Sequence, residues 1–206
     1  MPRIRAGSIE QHKALTRSQI LMATQDLLEV KADISLGDVA AQVGIGRTTM
    51  YEYFDDRDDL IAALVESSLP KVIGEILAGL PPSGAEERMS ALVAGTLRFV
   101  ATDPVLGLIL HRELPRLRER AQDRIRLAHA DLIGEVGTVY SEGVEEGVFR
   151  RIPVDLAARL IQDSIMSAAR VVLSAPDPGQ RLEAVTFEVK RFLLQGLSAS
   201  ADLKSE

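Results

Sequence analysis

Arg47, Thr48 and Thr49 stand in a row, with Tyr51 and Tyr53 close behind them. The group is made of hydrogen-bond donors. An arginine reaches the two acceptors of guanine in a bidentate way, a threonine offers a hydroxyl plus a methyl for thymine, and a tyrosine hydroxyl one turn on reaches a phosphate. That chemistry requires the side chains to share the exposed face of a helix that enters a groove.

The preceding residues predict such a presentation. Leu36, Val39, Ala40 and Val43 recur at i, i+3, i+4, i+7, the spacing of a helix that buries one stripe. Ser35 and Asp38 fit a capping box at its start, and Gly44 supplies the left-handed residue with which helices commonly end. After Gly44, Ile45 and Gly46 the pattern restarts. Met50 and Phe54 fall on one side, Thr48 and Glu52 on the other, flanked by Arg47, Thr49 and Tyr51. Two short helices joined by a glycine-containing turn form a helix-turn-helix, whose second helix lays its N-terminal side chains against base edges. The same pattern also suits a plain helical hairpin with a polar outer face.

Around this motif the chain reads as all-α, with about nine helices. Thr16 and Gln19 form a second capping-box pattern, predicting a helix to about Val30 with Ile20, Ala23 and Leu27 inward. The first dozen residues lack periodicity and read as an arm; Arg3 and Arg5 suit a minor groove, or simply a tail. Asp55, Asp56, Asp58 and Asp59 favour the positive end of a fourth helix, which should reach Leu80 with a kink or split at Pro70. Pro81–Gly84 is a linker, and Ser83 with Glu86 caps the helix after it, to about Thr102. Further helices are expected from Asp103 to Leu114, Arg116 to Glu142, Asp155 to Ser174 and Gln180 to Ala199. The boundaries are 1–60 for the helix-turn-helix domain and 61–206 for the rest.

Composition narrows the function classes. With no cysteine, neither a disulfide framework nor a thiolate metal site is possible, which suits a reducing cytoplasm. His12, His111 and His129 are too scattered for a metal cluster, so no metal is expected. No run approaches the roughly 18 apolar residues of a membrane span, and the N-terminus lacks an apolar signal core. A soluble intracellular protein without a membrane partner is the expectation. The net charge of −6 sits awkwardly with polyanion binding, and residues 1–50, with six basic and five acidic side chains, carry only +1. There is no nucleophile–base pair, phosphate loop or metal-ligand spacing, so no enzyme, catalytic residue or cofactor is predicted.

The segment TRSQILMATQDLLEV…ISLGDVAAQVGIGRTTMYEYFDDRDDLIAALV, residues 16–65, resembles the N-terminal domain of the tetracycline-repressor (TetR) family of transcriptional regulators. It includes a helix before the motif, the Tyr-x-Tyr-Phe ending and the polar turn before the next helix. The resemblance implies an N-terminal helix-turn-helix DNA-binding domain and a C-terminal helical domain for effector binding and dimerisation. Arg47, Thr48 and Thr49 would contact bases and nearby backbone, and Arg17, Ser35, Tyr51, Tyr53 and Arg57 would hold phosphate or position the head. Three features depart from the family's usual pattern: Glu52, Gly46 in place of a capping serine, and the four carboxylates crowding Arg57.

The resemblance also implies a small-molecule effector among the middle helices, where Leu92, Arg98, Phe99, Leu110, His111, His129, Met166 and Arg170 are candidate pocket residues. Only 4% of residues are aromatic, which favours an aliphatic or acidic effector over a flat cation in an aromatic cage. The last two helices would pair with a second copy through Leu160, Ile161, Ile165, Ala168, Phe187 and Leu194. The reading is a homodimeric, cytoplasmic repressor released from a palindromic double-stranded DNA operator by its effector. The alternative is a helical dimer that binds a protein or small molecule without productive DNA binding, a reading the acid-rich turn and Glu52 favour.

Overall fold

A computed structural model of the chain describes residues 3–31 and 33–199. The described residues form ten α-helices, and the chain falls into two compact units, 1–67 with 117–125, and 68–116 with 126–206. The first break lies beyond residue 60, inside a helix, and the first unit takes back a segment from far along the chain.

In the first unit, α1 spans Arg3–Val30, α2 Leu36–Val43 and α3 Arg47–Tyr51, and α4 (Arg57–Ala78) begins there. Ile20, Val39, Met50 and Leu60, all 0% exposed, together with Phe54, form the core. Each buried side chain of this size contributes roughly 1.5–3 kcal/mol. α1 starts well before Thr16, which is buried within the helix, so the capping box read at Thr16 and Gln19 does not form. Residues 3–15 contain no proline to stop a helix, and a threonine three places before a glutamine also arises inside one. The arm expected over residues 1–12 is therefore helical from Arg3. Its side chains through Ser8, Arg3 and Arg5 included, lie outside the described ones. From the later part of the chain, Leu117, Ala121 and Ile125 form a buried i, i+4, i+8 row in and just before α7 (Glu119–Ala128).

α4 is continuous through Pro70, so the split expected there does not occur. The proline removes one ladder hydrogen bond at a cost of about 3 kcal/mol; buried Leu69 and Ile73 on either side offset it.

The second unit contains the rest of α4, α5 (Ala85–Thr102), α6 (Pro104–Leu108), α8 (Ala130–Glu145), α9 (Val154–Leu173) and α10 (Pro178–Leu197). Its core runs through Met89, Leu92, Leu97, Val139, Tyr140, Ile161 and Ala169. Several boundaries differ from expectation. The N-cap of α5 is Gly84, not Ser83, and the Ala85 amide donates to the Glu146 carboxylate at 3.0 Å. Asp103 caps α6, accepting from the Leu106 amide at 3.0 Å. The helix then widens into a π turn over Ile109–Glu113 and tightens into a 3₁₀ turn over Leu114–Arg116. The single helix expected over 116–142 is two, because the His129 amide bonds to Arg126 three residues back and breaks the α ladder there. Gly143 lets the Phe149 ring approach so closely that a Cβ would lie 2.1 Å from it. Phe149 stacks on Tyr140, whose hydroxyl accepts from the Ile152 amide at 2.9 Å and lies 2.9 Å from the Arg150 carbonyl.

Candidate nucleic-acid interface and ligand cavity

Both halves of the capping box at α2 are present: the Ser35 hydroxyl accepts from the Asp38 amide at 3.1 Å, and the Ser35 amide donates to the Asp38 carboxylate at 2.7 Å. That carboxylate titrates near 2, held down by the Ser35 hydroxyl and amide and by Lys31. Gly44 ends α2 with φ +77° and its amide on the Ala40 carbonyl. Gly46 opens α3 without a side-chain cap. Met50 and Phe54 anchor α3 in the core, and Arg47, Thr48 and Tyr51 project outward, with Thr49 and Tyr53 half-buried. Arg17 is exposed, its guanidinium 5.3 Å from the centre of the Phe54 ring. The Ser35 hydroxyl also donates to Asp38 at 2.7 Å, and Arg57 donates from Nε to the Ile34 carbonyl at 3.1 Å. Those contacts tie Ser35 and Arg57 to the architecture at the entry to α2.

The acidic turn has partners that no local pattern announced. Arg118 pairs with Asp56 and, at 3.1 Å from its Nε, with Asp58. Arg124 lies 2.5 Å from Asp59 and grips Glu66 through two bonds of 2.7 and 2.6 Å. Burial works to raise the Asp56 pKa, but the hydrogen bonds from Arg118 and the Asp59 amide bring it below the ordinary value. The sequence signal was the density of arginine in Arg116–Arg126, which charge alone does not connect to the turn some sixty residues earlier.

In the second unit a cavity of about 60 Å³ lies among α4, α5, α6 with its π turn, α8 and α9. Phe99, Leu110, His129 and Met166, four of the candidate pocket residues, line it; among the described residues its other polar side chains are Thr96 and Gln162. Leu92 is instead fully buried in the helical core. Arg98 lines an adjoining groove of about 400 Å³ between α4 and α5. His111 and Arg170 line neither; they lie near one another, and burial, then Arg170 and Arg112, lower the His111 pKa.

Comparison with known proteins bears on both halves. The family model described as tetracyclin repressor-like, C-terminal domain, matches residues 82–170. The HTH-type transcriptional repressor LfrR of Mycolicibacterium smegmatis is 40% identical over 63 residues, 31% of each chain. The HTH-type transcriptional regulator AlkX of Mycobacterium tuberculosis is 32% identical over 139 residues, 59% of this chain and 65% of that one. The chain is similar to the TetR family. Its fold is similar to that of the regulator FadR from Bacillus subtilis, solved in complex with stearoyl-CoA, with a TM-score of 0.75 at 20% identity, covering 87% of this chain and 98% of that one. The chain spans about a third to two thirds of the length of these curated TetR-like relatives. The family is one of transcriptional regulators, not enzymes. Among the described residues, no single helix is long and apolar enough to cross a membrane.

The terminal helices sort the six candidate interface residues by direction. Ile161, Ile165 and Ala168 turn into the subunit's own core, and Leu194 is half-buried against it. Leu160 and Phe187 face outward, 50% and 62% exposed, together with Leu156, Val171 and Phe192. The six candidates thus divide between an inner and an outer side, and helical spacing alone does not say which side is covered by the same chain.

Proposed function

We propose that the protein is a homodimeric, cytoplasmic, DNA-binding transcriptional regulator, a repressor that a small-molecule effector releases from a palindromic operator. The observation that carries this reading is the outward presentation of Arg47, Thr48 and Tyr51 on a capped helix-turn-helix anchored by Met50 and Phe54. A two-fold dimer presents the same helix twice about one DNA turn apart, hence the palindrome. Leu156, Leu160 and Val171 of α9 and Phe187 and Phe192 of α10 form the dimer face, being large apolar side chains left exposed. Effector binding favours a placement of the reading heads that misses the groove, and shifts the equilibrium only by its preference for that state. The stearoyl-CoA complex of FadR supports a small-molecule effector for this chain as well.

Selection from random duplex DNA tests the reading, with an Arg47→Ala/Tyr51→Phe double variant alongside. A palindrome enriched by the parent and not by the variant is the expected outcome; no enrichment at low salt favours a dimer without productive DNA binding. That second reading drew on the acid-rich turn, and the pairing of its carboxylates with Arg118 and Arg124 supports the regulator instead.

A further inference from the structure

The inner cavity and the outer groove share a wall. Val72, Ile76 and Phe99 line both, so an aromatic ring and two aliphatic side chains separate an apolar chamber from an open, partly polar one. The inner chamber alone has room for about two water molecules. Joined by a swing of Phe99, the two volumes fall within the roughly 300–1,000 Å³ of small-molecule sites.

The charges are distributed unequally. Among the described residues, no acidic side chain, lysine or arginine lines the inner cavity. In the groove, Asp103 is committed to capping α6 and Glu75 lies 3.9 Å from Lys71. Arg98 is exposed there, and its guanidinium makes no hydrogen bond or ion pair among the described residues. A charged head buried in the inner cavity would lose its hydration without compensation, whereas at Arg98 it keeps water and gains a cation.

Resting on the reading of the protein as effector-responsive, we propose that the effector is a straight-chain amphipathic anion. Its aliphatic body runs along the shared wall of Val72, Ile76 and Phe99 in the groove, its end enters the inner cavity where Phe99 swings aside, and its anionic head is held by Arg98. Each methylene taken from water adds about 0.8 kcal/mol, which sets the preference for a long chain. Phe99 is a gate and Arg98 a specificity residue.

Calorimetric titration of the full chain, without DNA and below micellar concentrations, tests this with dodecanoate, dodecanol, dodecyltrimethylammonium and propionate. Dodecanoate is expected to bind; dodecanol should bind at least about tenfold more weakly, as loss of a charge-assisted bond implies, and the other two not measurably. Arg98→Gln, at an exposed position, should bring dodecanoate down to the level of dodecanol and leave dodecanol unchanged. Phe99→Ala should speed association of dodecanoate. Equal binding of the ammonium, an unchanged carboxylate preference in Arg98→Gln, or no binding of dodecanoate overturns the proposal. Operator enrichment in the DNA selection with no dodecanoate binding would sink this inference alone; dodecanoate binding without enrichment would sink the regulator reading alone.

Discussion

Ser35 and Asp38 hold each other at the start of α2, and the carboxylate responds by titrating near 2 instead of 3.8. A depressed carboxylate stabilises the fold above its unfolded-chain value, and the contribution disappears as pH falls from there through about 2. Acid unfolding followed by circular dichroism should therefore show a stability loss between about pH 4 and 2 that Asp38→Asn largely removes. Arg47→Ala should cost about 1–3 kcal/mol on the selected operator and relax preference at one base pair, measured by titration against single-base variants. If affinity and preference both stay put, Arg47 does not read a base. Gly143→Ala drives a methyl into the Phe149 ring, for which overpacking predicts a loss of about 1–3 kcal/mol in chemical denaturation.

Helices differ in how visibly their sequence marks them. The start of α2 was legible because both capping partners lie within four residues, and its end because Gly44 takes a left-handed backbone. The break at His129 carries no glycine or proline, and the early start of α1 lacks a stop signal upstream of Thr16. Four of the candidate pocket residues line the cavity and Leu92 lies in the filled core, a difference that helical spacing alone does not carry. The pairing of α7 with the acidic turn was invisible for another reason: Arg124 and Asp59 are 65 residues apart, and charge has no period. With Arg124 half-buried between two carboxylates, Arg124→Ala should lower stability by about 1–2 kcal/mol, between exposed and buried ion pairs. Added salt should narrow the difference between the two proteins.

For the whole molecule, the outward residues of α9 and α10 carry the assembly prediction. Leu160→Asp with Phe192→Glu should yield a monomer in analytical ultracentrifugation with an unchanged helical spectrum, since both side chains lie outside the core. A persistent dimer would place the interface elsewhere. The same monomer should lose most of its operator affinity, because one reading head makes half the contacts. Operator binding by the parent should fall roughly a thousandfold or more between about 50 and 200 mM salt, as expected for several phosphate contacts. Residues 117–125, finally, belong with the first unit although they lie fifty residues beyond Ser67 in sequence (117 − 67 = 50). The reading head is thus not a contiguous cassette. A fragment cut after Ser67 leaves Asp56, Asp58, Asp59 and Glu66 without Arg118 and Arg124. A hybrid regulator made by joining this head to another effector domain must carry the arginine segment across with it.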